Sequence, residues 1–352
     1  MNLIDFGKTA AVESLRQELC PELLLGRVIG DGTHIYRVIL EQGEQLCEVS
    51  GAFRHRAVEK DDFPVVGDWV GVSPAGGRIE MLLPRGPSVS RNSAGRRTER
   101  QILAANVDLV YVVAGLDGGR NFTARGIERY VTAVWESGAE PVLVLNKLDA
   151  CDDPASFLVE AEEAAPGVPI VMTSALTGDG IGELEGQLGQ GRTGVLIGPS
   201  GVGKSSLINA LAGNTLLATG AQREQDRRGR HTSTSRNLVR LESGGCLIDT
   251  PGLRELQLWA GDEALGRAFG EIEALSEECR FRDCSHQGEP GCAVQAAVSA
   301  GELSLERYES FLELQKELAY LHRRTDQQAM QAEVNRWKQI HKSLKDHHKR
   351  RS

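Results

Sequence analysis

The chain has 352 residues, a formal net charge of -9, 40% hydrophobic and 25% charged residues. That length suggests two or three globular domains, and the acidic balance argues against a general nucleic-acid coater, so any contact with nucleic acid must use local basic patches. No run of about 18 apolar residues is present to span a bilayer, and "MNLIDFGKTAAVESLRQELC" lacks the basic start and apolar core of a signal peptide, so the cytosol is the expected setting.

From about Gly26 to Arg91 short alternating segments are broken by turns, as in "GRVIGDGTHIYRVILEQGEQLCEVSG" and "VVGDWVGVSPAGGRIEMLLPR". This texture predicts a small all-β antiparallel barrel of the OB type. The polar segment from Ser90 to Gln101 reads as a linker. Apolar runs then alternate with helical patterns: "VDLVYVVAG", "PVLVLN", "VPIVMTS", "TGVLIG", "NLVRLE" and "GGCLID" are candidate strands. Near-continuous apolar strands of this kind are buried on both faces, which implies an α/β fold with a largely parallel sheet. Past Gly261 come a helical stretch, a Cys/His cluster and two polar helices, about Ser304 to Leu321 and Asp326 to Lys345, ending in a basic tail. The expected domains are 1–92, 93–260 and 261–352.

Gly198-Pro199-Ser200-Gly201-Val202-Gly203-Lys204-Ser205, followed by Ser206, fits the phosphate-loop pattern G-x-x-x-x-G-K-S/T between a strand and a helix. Its glycines allow close approach, its N–H groups face phosphates, Lys204 neutralises charge, and the Ser205 hydroxyl is a magnesium ligand. Asn146-Lys147-Leu148-Asp149 ends another strand. A carboxylate at Asp149 accepts from both guanine donors, whereas adenine would leave it unpaired. Asn146 can bond the base edge or steady a neighbouring loop, and the Lys147 stem can cover the base. Asp249-Thr250-Pro251-Gly252 supplies a carboxylate for a magnesium-bound water and the Gly252 N–H for the terminal phosphate. Ser174 and Ala175 offer N–H groups to the guanine oxygen.

These pieces run guanine loop, Ser-Ala, phosphate loop, magnesium loop, so the phosphate loop comes third rather than first. Relinked strands can still form the same sheet when the original termini lie close together, and the order predicts a circularly permuted P-loop GTPase domain.

The cysteines number seven, an odd set for a disulfide framework. Cys279-x4-Cys284-x-His286-x5-Cys292 supplies three thiolates and an imidazole, a donor set for tetrahedral structural zinc, one ion per chain, in a C-terminal helical module. For RNA, the N-terminal region offers Arg54, His55, Arg56, Arg85, Arg91, Arg96 and Arg97, with Tyr36, Phe53 and Trp69 near them. The aromatics serve either for base stacking or as core.

With "LPR" at 83 to 85, "ANVD" at 105 to 108, "NKLD", "GPSGVGKSSL", "GRHTSTSRNL" at 229 to 238, "DTPG" and "CRFRDCSHQGEPGCAV" at 279 to 294, the whole chain resembles the ribosome small subunit-dependent GTPase A family (RsgA). The resemblance implies GTP hydrolysis to GDP stimulated by the small ribosomal subunit and its 16S rRNA, a role in late assembly of that subunit, Mg2+ and Zn2+ as cofactors, and a monomer with no membrane partner. It also implies a catalytic role for His231. Leu253 follows Gly252 where many GTPases place a water-orienting glutamine, and an imidazole near neutral pH can take that task. The remaining magnesium hydroxyl is Ser233, with Thr232 and Thr234 as alternatives. The competing reading is a signalling or metal-chaperone GTPase that acts on a protein partner.

Overall fold

The computed structural model describes residues 2–32, 34–92, 100–118, 121–213, 236–250 and 262–323. They form two compact units, Met1–Gln257 and Leu258–Ser352.

In the first unit, a short 3-10 turn (Leu3–Phe6) and helix α1 (Ala10–Leu19) precede five strands: β1 (Leu24–Asp31), β2 (Tyr36–Leu40), β3 (Gly43–Val49), β4 (Trp69–Val72) and β5 (Arg78–Leu82). Helix α2 (Gly51–Arg56) lies between β3 and β4. The strands run in the order β1-β2-β3-β5-β4, and β4 pairs back onto β1, which closes the expected barrel. One pairing departs from the antiparallel expectation: β3 and β5 are parallel, Glu48 opposite Arg78. The cause is that the chain between them, with α2, crosses the barrel end instead of turning back as a hairpin. Val28, Val38, Val70, Val72 and Ile79 fill the interior.

The segment expected as a linker is strand at both ends. β6 (Ser88–Asn92) pairs antiparallel with β7 (Arg100–Ala105), Val89 opposite Ala104. Its polar composition reads as loop, yet Ser90 within it is buried, and so are Val89, Leu103 and Ala104 on either side of it.

Beyond it the expected α/β order is present: β8 (Leu109–Gly115), α3 (Ala124–Ser137), β9 (Glu140–Asn146), α4 (Pro154–Ala164), β10 (Ile170–Thr173), α5 (Ile181–Leu188), β11 (Thr193–Ile197), α6 (Lys204–Leu211), β12 (Asn237–Arg240) and β13 (Cys246–Asp249). Helix α3 starts where the Thr123 hydroxyl accepts the Gly126 N–H and stops at Gly138, whose left-handed backbone (φ 82°) suits a residue without Cβ. The sheet order is β10-β9-β8-β11-β13-β12, all parallel except β12. Every residue of β8 and of β11 is buried, as strands covered by helices on both faces require. β12 also pairs with β1 of the barrel, Gly30 opposite Asn237, so barrel and parallel sheet share one ladder.

The barrel is also pinned from inside by Arg27, whose side chain is 1% exposed. Its guanidinium donates to the carbonyls of Gly67 (3.2 Å), Phe6 and Asn106 (3.2 Å) and to the Thr193 hydroxyl (2.8 Å), and lies over the Trp69 ring. Burial pulls its pKa below the ordinary arginine value, but a planar fork with four of its five donors paired stays charged. The partners come from the N-terminal turn, the barrel, the β7–β8 turn and β11.

In the second unit, helices α7 (Asp262–Ala268), α8 (Gly270–Glu277) and α9 (Ala293–Ala300) are followed by helical residues 305–323. Arg307 fixes the last of these: it donates to Glu271 (2.6 Å) and to the Ala268 carbonyl (2.6 Å) and stacks over Phe269. The second expected polar helix and most of the basic tail lie outside the described residues. No helix among the described residues is long and apolar enough to cross a membrane.

Arg27→Met keeps the length of the side chain and removes its donors, leaving buried acceptors unpaired. The expected loss is about 2–4 kcal/mol of unfolding free energy, read from the urea midpoint of the first unit's transition.

Candidate nucleotide and metal sites

The parallel strands deliver their carboxyl ends to one edge of the sheet, the usual ligand edge of open α/β folds. There β9 ends in Asn146, β10 leads into Ser174, β11 leads into Gly198, and β13 ends in Asp249. The phosphate loop follows from glycines at three strained positions. Gly198 (φ 135°) and Gly203 (φ 96°) also lie so close to other groups that a Cβ would meet the Val113 carbonyl oxygen at 2.3 Å and the Asn146 amide nitrogen at 2.3 Å. Gly201 has φ 89°. The Lys204 ammonium donates to the carbonyls of Gly198 and Pro199, both at 2.7 Å, so it is held inside the loop that phosphate oxygens would enter. Pro199, Ser200, Val202, Ser205 and Ser206 complete the loop and the first turn of α6, with Val202 buried in the core.

Asn146 is 1% exposed and fully engaged. Its amide donates to the Val202 carbonyl (2.7 Å), and its oxygen accepts from the Thr173 hydroxyl (3.1 Å) and the Ala175 N–H (3.2 Å). The contacts it makes here are loop-steadying ones, to the phosphate loop and to the segment that follows β10. Lys147 has a left-handed backbone (φ 70°) and its ammonium is paired with Asp117 at the end of β8, a partner that no motif had marked. The Asp149 carboxylate accepts from the Ser174 hydroxyl (2.5 Å), which in turn accepts from the Thr177 N–H (3.1 Å). Together these residues border a cleft of about 800 Å³ with Leu176, Asn209 and Gly213. Leu176 is 83% exposed, an unsheltered apolar side chain beside the base-reading groups.

Asp249 is buried at the end of β13, and β13 pairs in parallel with β11, so its carboxylate and Ser205 belong to the same sheet edge. The neighbouring Thr250 hydroxyl is buried with no partner among the described residues. An oxygen-only donor set with an orphaned hydroxyl fits a hydrated, hard divalent cation such as magnesium. His231, the hydroxyls of Thr232, Ser233 and Thr234, and Gly252 lie outside the described residues.

In the second unit, Cys279, Cys284, His286 and Cys292 bring their ligand atoms within 4.8 Å of one another. The Cys279 sulfur is 4.0 Å from the Cys292 sulfur, and the His286 Nδ1 is 3.6 and 3.5 Å from those two sulfurs. Tetrahedral zinc with ordinary bond lengths spaces sulfur pairs about 3.8 Å apart and sulfur–nitrogen pairs about 3.5 Å apart. The set therefore fits the ion. The electrostatics agree. Burial pushes the Cys279 thiol up, but the N–H groups of Ala293 and Val294 and the neighbouring thiols outweigh it and bring it below its usual value. Burial and the other two sulfurs push Cys284 to about 11, because three thiolates cannot crowd together without a cation. Burial lowers the His286 imidazole, which favours the neutral, ligating form.

Sequence reasoning missed the groups that shape this loop. Glu289 accepts from the N–H groups of Ser285 (3.0 Å) and Gln287 (2.8 Å) and from the Ser285 hydroxyl, bonds that hold its carboxyl near 2. The His286 backbone is left-handed (φ 60°), and its carbonyl accepts from Gln295 and Tyr308. An E-P-G sequence inside a cysteine cluster reads only as a turn, which is why the carboxylate clamp was not visible.

The aromatics offered for stacking are core: Tyr36, Phe53 and Trp69 are buried in the barrel. Arg85 is committed to the buried Asp68 (2.7 Å), and Arg91 donates to Gln101. Arg54, His55 and Arg56 are exposed on α2, and Arg96 and Arg97 lie outside the described residues.

Comparison with known proteins matches this arrangement. The model of the RsgA GTPase family matches residues 82–259. A second model, of the ABC transporter family, matches residues 181–347, a stretch that contains the phosphate loop but not the Asn146–Asp149 motif. A small ribosomal subunit biogenesis GTPase RsgA 2 of Lactiplantibacillus plantarum is 42% identical over 357 residues, covering 99% of each chain. A protein of the same description from Xanthomonas axonopodis pv. citri, RsgA, is 47% identical over 255 residues, covering 72% of this chain and 69% of its own. Among solved structures, YjeQ from Thermotoga maritima aligns with TM-score 0.64 at 30% identity, over 84% of this chain and 98% of its own. YloQ, described as a circularly permuted GTPase, shares the fold with TM-score 0.61 at 24% identity, over 84% and 95%. With its guanine loop ahead of its phosphate loop on one sheet edge, and with near full-length relatives at this identity, the chain belongs to the RsgA GTPase family.

Proposed function

We propose that this protein hydrolyses GTP to GDP and phosphate and acts in biogenesis of the small ribosomal subunit, whose binding stimulates the hydrolysis. The observation that carries the reading is the buried Asn146 bridge, which joins the guanine motif to the phosphate loop at Val202. The subunit enters through the relatives, which are described as small ribosomal subunit biogenesis GTPases. In this reading Asp149 selects guanine. The N–H groups of the Gly198 to Ser206 loop, which Pro199 helps to shape without donating, and of Gly252 bind phosphate, while Ser174, Ala175 and the Lys147 stem frame the base. Ser205, Asp249 and Ser233 hold magnesium, which supplies charge neutralisation between the phosphates when bound. Lys204 leaves its two carbonyls for the γ-phosphate and stabilises the charge that develops there. His231 orients the attacking water. Zinc at Cys279, Cys284, His286 and Cys292 is structural, since four protein ligands leave no open position. Contact with 16S rRNA would draw on Arg54 and Arg78, which border a cleft of about 530 Å³ at the β3–β5 side of the barrel. The protein acts as a soluble cytoplasmic monomer.

Purified small subunits are expected to raise GTP turnover by about tenfold or more at matched salt, and large subunits to leave it unchanged. Equal effects of both subunits would send the reading to a different partner. Asp149→Asn is expected to weaken GTP binding by about a hundredfold and to favour xanthosine triphosphate, measured by competition between the two nucleotides. Retained preference for GTP would remove the base-reading role. Metal analysis should find about one zinc per chain, lost in Cys284→Ser. A folded chain without zinc would contradict the ligand assignment.

A further inference from the structure

The end of β1 makes a contact that neither nucleotide binding nor barrel closure requires. Arg236, the residue just before β12, gives its N–H to Asp31 Oδ1 (3.0 Å) and its guanidinium to Asp31 Oδ2 (2.8 Å). Both carboxylate oxygens of one barrel residue thus hold the backbone and the side chain of one GTPase residue. Both side chains are only 18% exposed, so solvent screens the pair weakly. The next residue, Asn237, lies opposite Gly30 on the barrel side and opposite Asp249 on the other. Its side-chain oxygen accepts from Arg37 (3.2 Å), whose remaining donors are fixed by Glu44. The register is tight, because a Cβ on Gly30 would already meet Asn237 Oδ1 at 3.3 Å. A bulge between Val28 and Gly30 bends β1, which still pairs with β2 at Gly30 and Asp31 while Gly30 also faces Asn237.

One proposed magnesium ligand, Asp249, is therefore tied to the barrel through one short stretch of chain. Asp249 is the cross-strand neighbour of Asn237, and Ser233 precedes Arg236 by three residues in sequence. We infer that Asp31 and Arg236 are positioning residues for GTP hydrolysis: their pair sets the strand β12 that places the magnesium side of the site, and makes the barrel part of the catalytic apparatus. This inference rests on the GTPase reading above. Among the described residues no such tie reaches the guanine side of the cleft, so the pair acts on turnover and not on binding of the base.

The test is charge reversal in the full-length chain: Asp31→Lys, Arg236→Glu and the two together, with Asp31→Asn as a milder variant should a reversal fold poorly. Readouts are kcat with saturating small subunits, the magnesium concentration giving half-maximal rate, and GDP affinity. Each single change is expected to lower kcat about ten- to a hundredfold and to raise the magnesium requirement, with GDP affinity kept within about twofold. The double reversal should recover part of kcat, since a lysine at position 31 restores the ion pair but cannot accept the N–H of residue 236. Single variants that turn over like the wild type would overturn the inference, as would losses of kcat and GDP affinity in parallel that the double reversal leaves unrepaired. A wild-type chain without GTP turnover would bring down the GTPase reading and this inference together, whereas normal wild-type turnover with unaffected variants removes the inference alone.

Discussion

The nucleotide site depends on one buried amide. Asn146 closes three hydrogen bonds to two other segments, the phosphate loop at Val202 and the end of β10 at Thr173 and Ala175, and so ties the end of β9 to both. A buried amide left half-paired costs more than a missing surface contact, so the loops are driven to the one geometry that satisfies it. That demand also explains Gly203. Any side chain there would occupy the place of the Asn146 nitrogen, so the loop needs its glycine for packing against the guanine motif as much as for phosphate.

Permutation changes which strands are joined in sequence and leaves the sheet edge as it was. β9, β10, β11 and β13 still bring their carboxyl ends together, because parallel strands buried between helices have only that way to pack. What permutation adds is β12 at the border. It runs against β13 and pairs with β1, and it thereby makes one sheet of two folds that small proteins usually keep apart. Arg27 strengthens the same seam from within, at Thr193, where the strand leading to the phosphate loop begins.

The chemistry was legible in the sequence wherever ligand geometry restricts residue type. Phosphate demands glycines and a lysine, guanine a carboxylate, and zinc soft donors at short spacing, so Gly198 to Ser205, Asp149 and the Cys279 to Cys292 set stand out without a fold. Barrel and permuted sheet were legible from periodicity. The seam was not. Arg27 and Thr193 are 166 residues apart and Asp31 and Arg236 are 205 apart, and in one sequence an arginine that will be buried looks like any surface arginine. The parallel β3–β5 pair and the β6–β7 ladder were hidden for a related reason, since pairing partners are set by how the chain crosses the barrel and not by local composition. Tyr36, Phe53 and Trp69 could be read as a stacking face or as core, and only the closed barrel decides for core.

These separations have a consequence for how the chain is made. The barrel strands leave the ribosome first and can close at once, but Arg27 then has only the Phe6 and Gly67 carbonyls, and its other partners, Asn106 and Thr193, do not yet exist. At ordinary synthesis rates Thr193 follows roughly 10–30 s later, and Arg236 later again. Until then a charged fork and the end of β1 around Gly30 stay in water, in a half-built molecule with an unpaired strand border there. The nascent chain thus spends its early life as a folded barrel awaiting its neighbour, and the last strand to complete the seam is β12. A helper that shields the β1 edge would act in this interval and have no further purchase once residue 240 has emerged.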